Sequence, residues 1–226
     1  MNLLEKVEIS KLIIEYSLKK YSKIFAACSF GKDSMVLVDL CKTINGDIEF
    51  IGIDTGYEFS ETLDFADKAV KLFNMNFRWI KPTDEDVERV KNEYGNSMIK
   101  DDQYICCEMK VAAANRIMNN YEAWMTGLRR DETEYRKNIK IIEPGKTDKI
   151  NPLAFWTHED IWKYLGDNKI IHHPLYDAGF TSLGCKPCTS HGSIRSGGGR
   201  QGQFERAGRF VGTNHSGQEC GLHKSR

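Results

Sequence analysis

Five cysteines, two in the middle of this chain and three towards its end, have the spacing and the neighbours that chemistry requires. Cys106 and Cys107 are adjacent, Cys185 and Cys188 enclose a Lys-Pro dipeptide, and Cys220 stands alone in a Glu-Cys-Gly-Leu-His segment. Two close pairs of thiols are typical of a site for a soft metal. A lone thiol beside glycine in a short tail is typical of a nucleophile. The combination predicts redox chemistry on a bound small molecule.

The four paired cysteines alone do not identify the metal that they would bind. A structural zinc site usually begins with two cysteines separated by about two to four residues, so the adjacent Cys106 and Cys107 fit it poorly. In a cubane iron–sulfur cluster each thiolate binds a different iron, so that two neighbours at the start of a helix are able to serve. We therefore favour a [4Fe-4S] cluster on Cys106, Cys107, Cys185 and Cys188, with zinc and buried free thiols as the alternatives.

A second group of polar residues follows an apolar run at residues 24–28. The run predicts a buried parallel strand, after which Ser29-Phe30-Gly31-Lys32-Asp33-Ser34 turns into a helix. Free backbone N–H groups and the helix dipole would bind an anion there, and Lys32 would add positive charge. The turn differs from a Walker A loop, which needs Gly-x-x-x-x-Gly-Lys-Ser/Thr. It predicts a phosphate site, with an ordinary polar turn as the alternative.

The next predicted strand, residues 48–53, ends in Asp54, Thr55 and Gly56. Open α/β sheets bind ligands at the carboxyl ends of their strands. Asp54 and Thr55 are therefore expected to contact a nucleotide, and Gly56 to let it approach the backbone closely. A plain Asp-Thr-Gly turn is the alternative.

The elements that position these residues alternate between strand and helix patterns. Predicted strands cover residues 24–28, 48–53, 77–80 and 123–125; predicted helices cover residues 3–21, 33–41, 62–73, 84–93 and 108–119 and a segment that begins after Thr157 as N-cap. The alternation predicts an α/β fold with a doubly wound, mainly parallel sheet. Because glycines interrupt the pattern after residue 192, we expect a nucleotide- and cluster-binding domain at 1–192 and a mobile tail at 193–226 that carries Cys220.

Composition limits the class of protein. With 226 residues, of which 40% are hydrophobic, one domain with a full core is expected. Equal numbers of basic and acidic residues, 32 each, argue against nucleic-acid or membrane partners. No apolar run approaches the ~20 residues that span a bilayer, and the N-terminus lacks the layout of a signal peptide. With an odd number of cysteines, these features predict a reducing cytoplasm rather than a disulfide framework.

Several further residues are interpreted as structural. Cys28 and Cys41 fall in a predicted buried strand and a predicted helix, where a free cysteine behaves as a small core residue. His158, His172 and His173 are expected to be polar surface or capping residues rather than metal ligands.

Taken together, the motifs resemble the iron–sulfur type of assimilatory adenylyl-sulfate reductase, in the phosphoadenylyl-sulfate/adenylyl-sulfate reductase family. The phosphate turn resembles that of the adenine-nucleotide α-hydrolase-like superfamily. The matching segments run in family order from about residue 24 to residue 223: Ile53-Asp54-Thr55-Gly56, Cys106-Cys107, residues 127–132, Asn151-Pro152-Leu153 with Trp156, residues 182–189, residues 206–210 and residues 219–223. Two departures are a single basic residue, Lys110, where the family usually has Arg-Lys, and an unusually glycine-rich segment at 193–203.

The resemblance implies reduction of adenylyl sulfate to sulfite and AMP through an S-sulfocysteine on Cys220, with thioredoxin or glutaredoxin as the reductant. It implies cluster ligation by the four paired cysteines and a place for Lys110 between cluster and sulfate. Arginine, whose planar fork suits oxyanions, would bind the substrate, with solvated surface arginines as the alternative. The remaining residues expected at the substrate are Arg129, Arg206, Arg209 and His223. The sequence leaves open whether the chain forms a homo-oligomer.

Three other functions remain as alternatives. The same architecture serves 3′-phosphoadenylyl-sulfate reductases and enzymes that accept both nucleotides. An ATP pyrophosphatase of the tRNA-thiolating kind would explain the phosphate turn and the paired cysteines, but it would leave Cys220 unused. A non-catalytic cluster-binding sensor would leave the turn itself unused. Stabilisation by AMP or adenylyl sulfate, by ATP with Mg²⁺, or by neither separates the reductase, pyrophosphatase and sensor classes.

Overall fold

A computed structural model describes residues 1–191, 205, 206, 208–211, 213, 214, 222 and 223. Cys220 and most of the predicted tail at 193–226 lie outside these residues, and with them the expectation that this tail is mobile. Within the described part of the chain, none of the helices combines the length and the apolar character that crossing a bilayer requires.

Six helices and eight strands follow one another in the described residues. The helices are α1 (Leu3–Lys20), α2 (Lys32–Ile44), α3 (Ser60–Leu72), α4 (Asp84–Tyr94), α5 (Ile105–Met118) and α6 (His158–Asp167). The strands are β1 (Ile24–Ala27), β2 (Glu49–Ile53), β3 (Asn76–Ile80), β4 (Ile99–Lys100), β5 (Gln103–Tyr104), β6 (Ala123–Met125), β7 (Ile142–Glu143) and β8 (Asp148–Ile150).

Six of the strands form one sheet in the order β3-β2-β1-β6-β8-β7. All neighbours in it are parallel except β7 and β8, which pair antiparallel at the edge. The order reverses between β1 and β6, since the chain builds outwards from β1 to β3 before it returns to the other side. Such a switch point opens a crevice at the carboxyl ends of the two strands. The predicted doubly wound, mainly parallel sheet is confirmed.

Alternate residues of the strands bury opposite faces of the sheet, as the period of two requires. Ala26 of β1 and Met125 of β6 belong to the large core that contains α2 and α6. Phe25 and Trp124, one position earlier in each strand, pack with Ala113 of α5 on the other face. Because both faces are covered by helices, the strands read as apolar runs rather than as alternating ones.

The predicted helices are confirmed within a few residues of their bounds, and the local reason is visible at their starts. At α6, Thr157 Oγ1 accepts from Asp160 N (3.2 Å) and Thr157 N donates to Asp160 Oδ2 (2.8 Å), which completes the predicted cap. The start of α5 differs, because this helix begins at Ile105 rather than at residue 108. Its first turn therefore contains Cys106 and Cys107.

Four short strands were missed by the sequence pattern. β8 pairs in parallel with β6 although its sequence is Asp-Lys-Ile, with one apolar residue. β7 is an edge strand of two residues, and β4 and β5 form a separate two-stranded hairpin just before α5. Strands this short carry too few side chains to show a period.

Candidate active site

A cleft opens at the switch point, where the chain leaves β1 and β6. It has about 1350 Å³ of empty space, including the part that is open to solvent. Ser29 and Ser34 from the turn after β1 line one side, and Thr126, Gly127 and Leu128 after β6 line the other. The fold thus places the predicted phosphate turn at the position where doubly wound sheets bind ligands.

The phosphate turn is held in shape by its own side chains. Ser29 N donates to Ser34 Oγ (3.2 Å), and the two hydroxyl oxygens are 2.9 Å apart. Phe30 adopts the left-handed conformation (φ 58°) that lets the chain reverse, and Gly31 caps α2 without a side-chain hydrogen bond. The first N–H groups of a helix have no partner within it, and Lys32, Asp33 and Ser34 of the first turn of α2 line the cleft. One of them, Lys32 N, donates to the Tyr176 hydroxyl (3.1 Å).

The other half of the cleft is apolar. It lies between the sheet and α5, and its walls come from four strands and from the helix. The residues are Phe25, Ala27, Ile51, Ile53, Trp79, Ala114, Ile117, Met118 and Trp124. Leu222 packs against the same wall, and the His223 ring lies parallel to Trp124, with 5.7 Å between the ring centroids. An apolar, aromatic wall beside a phosphate turn is suited to a nucleotide whose base is buried.

A buried ion-pair network lies behind the phosphate turn. Lys32 Nζ contacts Glu205 Oε1 and Asp33 Oδ2 (3.0 Å), although the lysine side chain is 1% exposed. Arg129 Nη2 donates to both carboxylate oxygens of Glu205 (2.7 Å each), and Arg129 Nε donates to Asp33 Oδ1 (2.5 Å). Arg129 Nη1 also lies 3.3 Å from Asp131 Oδ2, so the two buried cations face three carboxylates.

The network keeps all of its members charged. Burial opposes ionisation of Glu205, but Lys32, the nearby His158 ring and Arg129 together hold the pKa of its carboxyl well below the usual value. Burial also opposes the charge on Lys32, yet Asp33 and Glu205 raise its pKa. Paired, hydrogen-bonded groups are the only buried charges that remain ionised at neutral pH.

A second set of charges joins this network to the cleft. Arg136 Nη1 contacts Glu132 Oε2, and Arg206 Nη1 lies 3.6 Å from Glu132 Oε1. Both arginines and the glutamate line the cleft and are almost fully buried. The alternative of solvated surface arginines is therefore wrong for Arg136, as it is for Arg129 and Arg206. Asp33, Glu132 and Glu205 approach within 4.8 Å, but these cations partner them.

The paired cysteines come together beside the cleft, next to its lining residues Lys110 and Arg209. Cys106 and Cys107 occupy the first turn of α5, and Cys185 and Cys188 bracket a short 3₁₀ turn. The sulfur atoms of Cys106, Cys185 and Cys188 all lie within 4.8 Å of one another. Cys107, 3% exposed, packs in the same cluster as the other three thiols. Two segments far apart in the sequence thus build one buried site that is rich in sulfur.

Polar groups of both signs contact the second pair of thiols, since Cys185 Sγ also donates to Glu58 Oε1 (3.2 Å). Thr55 Oγ1 donates to Cys185 Sγ (3.4 Å), and Arg209 Nη2 donates to Cys188 Sγ (3.5 Å). Hydrogen bonds from Cys106 and Cys185 and the charges of Arg209 and Lys110 lower the pKa of Cys188. Four soft sulfur donors in one buried site fit an iron–sulfur cluster. The same sulfur donors also fit zinc.

Lys110 lies between the two parts of the site. It lines the cleft one helical turn after Cys106, and its charge acts on both Cys185 and Cys188. Residues four apart in a helix share a face. The single basic residue that the sequence offers here is therefore placed to act on the cysteines and on a ligand in the cleft.

Eight of the predicted substrate-binding residues line one cleft. They are Ser29, Lys32, Asp33, Ser34, Lys110, Arg206, Arg209 and His223. Six others do not line it. The Phe30 side chain packs against Phe65, Phe77 and Trp79 in the core, and Arg129 is buried behind the turn. Gly31 contributes the cap of α2. Thr55 contacts Cys185, and Gly56 N donates to Asp54 Oδ1 (2.9 Å). Asp54 is paired with Lys81 (3.0 Å).

Several site residues were missed from the sequence. Glu205 and Glu132 lie inside or beside segments that were singled out for their arginines, and a buried arginine usually has a carboxylate partner. That requirement was the available signal. Leu222 lies inside the 219–223 motif, which was singled out for Cys220 and His223. Tyr176 gave no signal, since an isolated tyrosine outside a periodic segment looks the same wherever it packs.

Comparison with known proteins identifies related sequences over most of the chain. The family described as the phosphoadenosine phosphosulfate reductase domain matches residues 23–191. A protein of Oceanobacillus iheyensis named adenosine 5′-phosphosulfate reductase is 35% identical over 219 residues, which cover 94% of this chain and 87% of that protein. A Bacillus pumilus protein of the same name is 34% identical over 202 residues, covering 88% and 83%.

A solved structure shares the fold. The crystal structure of phosphoadenylyl-sulfate reductase from Candida auris in a phosphate complex superposes with a TM-score of 0.66 and 23% identity. The match covers 78% of this chain and 88% of that one. At this identity the likeness supports the architecture alone.

Proposed function

Since this chain belongs to the phosphoadenosine phosphosulfate reductase domain family, we propose that it is a thiol-dependent enzyme that reduces adenylyl sulfate to sulfite and AMP. The observation that carries the proposal is the shared cleft. The phosphate turn, the apolar wall, the cations Lys110, Arg206 and Arg209, and Leu222 of the tail all line it. A nucleotide that bears a sulfated phosphate needs each of these parts.

The chain's own residues would bind the substrate as follows. The adenine lies against the apolar wall, and the phosphate accepts from the N–H groups that begin α2. Lys110, Arg206 and Arg209 face the sulfate end, where cations stabilise the charge that develops on the leaving phosphate. Arginine suits this task because its donors form a planar fork.

Cys220 is proposed as the nucleophile. Its thiolate attacks the sulfur of adenylyl sulfate, the bond from sulfur to the phosphate oxygen breaks, and AMP leaves with the bonding electrons. A dithiol of the thioredoxin or glutaredoxin class then attacks Cys220 Sγ, releases sulfite and ends as a disulfide. Cys220 lies outside the described residues. The support is that only Gly221 separates it from Leu222, which lines the cleft.

Cys106, Cys107, Cys185 and Cys188 would hold a [4Fe-4S] cluster. When bound, the cluster would supply a fixed electrostatic environment beside Lys110 and would leave the two-electron reduction to thiols. Lys110 would then orient the sulfate from the cluster side of the cleft, while Arg209 keeps its bonds to the Cys188 segment.

A steady-state assay tests the proposed function. Sulfite release is measured with thioredoxin and either adenylyl sulfate or its 3′-phosphorylated form. We expect the unphosphorylated nucleotide to have the higher kcat/KM, and Cys220→Ser to abolish sulfite release while AMP binding stays. Without reductant, the wild type should gain one sulfonate group by mass on the peptide that contains Cys220.

Three results would contradict the proposal. A higher kcat/KM for the 3′-phosphorylated nucleotide would identify that nucleotide as the substrate. Turnover by Cys220→Ser would show that Cys220 is not the nucleophile. Stabilisation by ATP with Mg²⁺ and not by AMP would favour the pyrophosphatase class.

A further inference from the structure

Glu205 is a buried carboxylate that the proposed reaction does not use. Its side chain is 1% exposed, and three other side chains surround it. Lys32 Nζ and Arg129 Nη2 bind it, and His158 Nδ1 lies 3.2 Å from Oε2. A carboxylate held this closely is strongly attracted to its site, because two cations act on it at low dielectric constant.

The two cations that hold Glu205 are also those nearest the phosphate turn. Lys32 belongs to the turn and lines the cleft, and Arg129 bridges Glu205 to Asp33 in the first turn of α2. An anion bound on the turn would therefore lie next to Lys32. Glu205 and that anion would both be attracted to the ammonium group of Lys32.

The charge count decides how the network responds to a substrate. Lys32 and Arg129 already face three carboxylates, Asp33, Asp131 and Glu205, so an incoming anion meets a group with no excess of positive charge. Asp33 is fixed by α2, whereas Glu205 belongs to a segment outside the sheet. Glu205 is thus the carboxylate that an anion can replace while both cations stay paired, which avoids the cost of an unpaired buried charge.

We propose that Glu205 and the anionic group of the nucleotide compete for Lys32, so that Glu205 is an internal competitor that weakens binding of anionic ligands. The proposal rests on the proposed function only in taking a nucleotide as the ligand of the cleft. Competition of this kind promotes release of AMP, because Glu205 restores the ion pairs when the product leaves. Glu205 is a positioning residue in this scheme and touches no reacting atom.

Calorimetric titration with AMP and with adenosine, under anaerobic conditions, tests the competition. Glu205→Gln removes the competing charge, so its affinity for AMP should rise at least about tenfold. Its affinity for uncharged adenosine should stay within about twofold of the wild type. Glu205→Asp keeps the charge and should remain closer to the wild type than to the glutamine variant.

The matched control is Glu134→Gln, which removes an exposed carboxylate in the loop that follows Arg129. It should change neither affinity. Unchanged or weaker AMP binding in Glu205→Gln would overturn the proposal, and so would an equal gain for adenosine or for Glu205→Asp. If AMP does not bind the wild type, the proposed function fails instead.

A second measurement uses only the wild type and holds if Glu205→Gln does not fold. Hydrogen exchange is followed in the peptide that spans residues 205–211. AMP should increase exchange at its first amides relative to adenosine, because displacement of Glu205 releases its ion pairs. Equal exchange with the two ligands, or slower exchange with AMP, would overturn the proposal.

Discussion

The guanidinium of Arg209 lies directly against Gly184, where a Cβ atom would be 2.6 Å from the guanidinium carbon. Arg209 Nη1 donates to Leu183 O (2.6 Å), and Nε donates to Cys188 O (3.3 Å). The arginine therefore threads into the segment that carries the second cysteine pair. Gly184 is needed for its missing side chain rather than for its backbone freedom.

Gly184→Ala should displace Arg209 and disturb substrate binding without removing a cysteine. We expect kcat/KM for adenylyl sulfate to fall at least about tenfold while the iron content stays. The matched control is Gly166→Ala in α6, where a Cβ meets nothing within 4 Å. Steady-state kinetics and iron analysis on both variants check the prediction, and normal kinetics in Gly184→Ala would show that the contact is dispensable.

The cysteine site should hold iron. Protein purified without oxygen is expected to be brown with about four irons per chain, and Cys185→Ser or Cys188→Ser should lose both colour and iron. Cys41→Ala provides the control, since Cys41 is buried in the main core away from the quartet. Metal analysis and visible absorbance are the measurements. Zinc without iron in an anaerobic, reconstituted preparation would identify a zinc site.

The phosphate turn should tolerate no large side chain at Gly31. A Cβ there would already lie 3.2 Å from the Tyr176 hydroxyl, so the rest of a leucine would extend into the turn. Gly31→Leu should weaken the binding of AMP at least about tenfold and leave the cluster absorbance unchanged. Gly46→Leu, at an exposed turn, should bind AMP normally. Equal affinities in the two variants would place the nucleotide elsewhere.

His173 should make stability depend on pH. Its Nδ1 accepts from Leu175 N (3.2 Å), so the ring is neutral and Nε2 donates to Thr62 Oγ1 (3.0 Å). Burial lowers its pKa to about 4. Because the unfolded value is about 6.5, the stabilisation is complete above pH 6.5 and is lost as the pH falls towards 4.

Melting temperatures at pH 7.5 and pH 5 check this sign. The melting temperature of the wild type should fall more between pH 7.5 and pH 5 than that of His173→Gln, which has no ring to protonate. His172→Gln, at the neighbouring half-exposed position, should follow the wild type. An equal loss in wild type and His173→Gln would assign the pH dependence to other groups.

Much of this architecture follows from local patterns. The turn after β1 was predicted because an apolar run, a polar N-cap region and a helical segment succeed one another within about a dozen residues. The start of α6 was predicted because Thr157 and Asp160 have the spacing of a cap. Both features depend on neighbours in the chain, which a sequence displays directly.

The rest depends on contacts between distant segments. Nothing local shows that Glu205 would reach Lys32 and Arg129, since its partners lie more than seventy residues away. The Phe30 side chain turns into the core because φ at this residue is positive, which the residue type disfavours. Asp54 was expected at a nucleotide, and its pairing with Lys81 depends on the register of β2 and β3.

The two cysteine pairs of the site are also synthesised at different times. Roughly 80 residues lie between Cys107 and Cys185, and a chain is synthesised at about 5–20 residues per second. The first pair is therefore synthesised about 4–16 s before the second pair exists to complete the site. During that interval Cys106 and Cys107 are adjacent thiols without their partners, open to oxidation and to the wrong metal. A cluster held by all four cysteines would thus be completed only after synthesis of at least the first 188 residues.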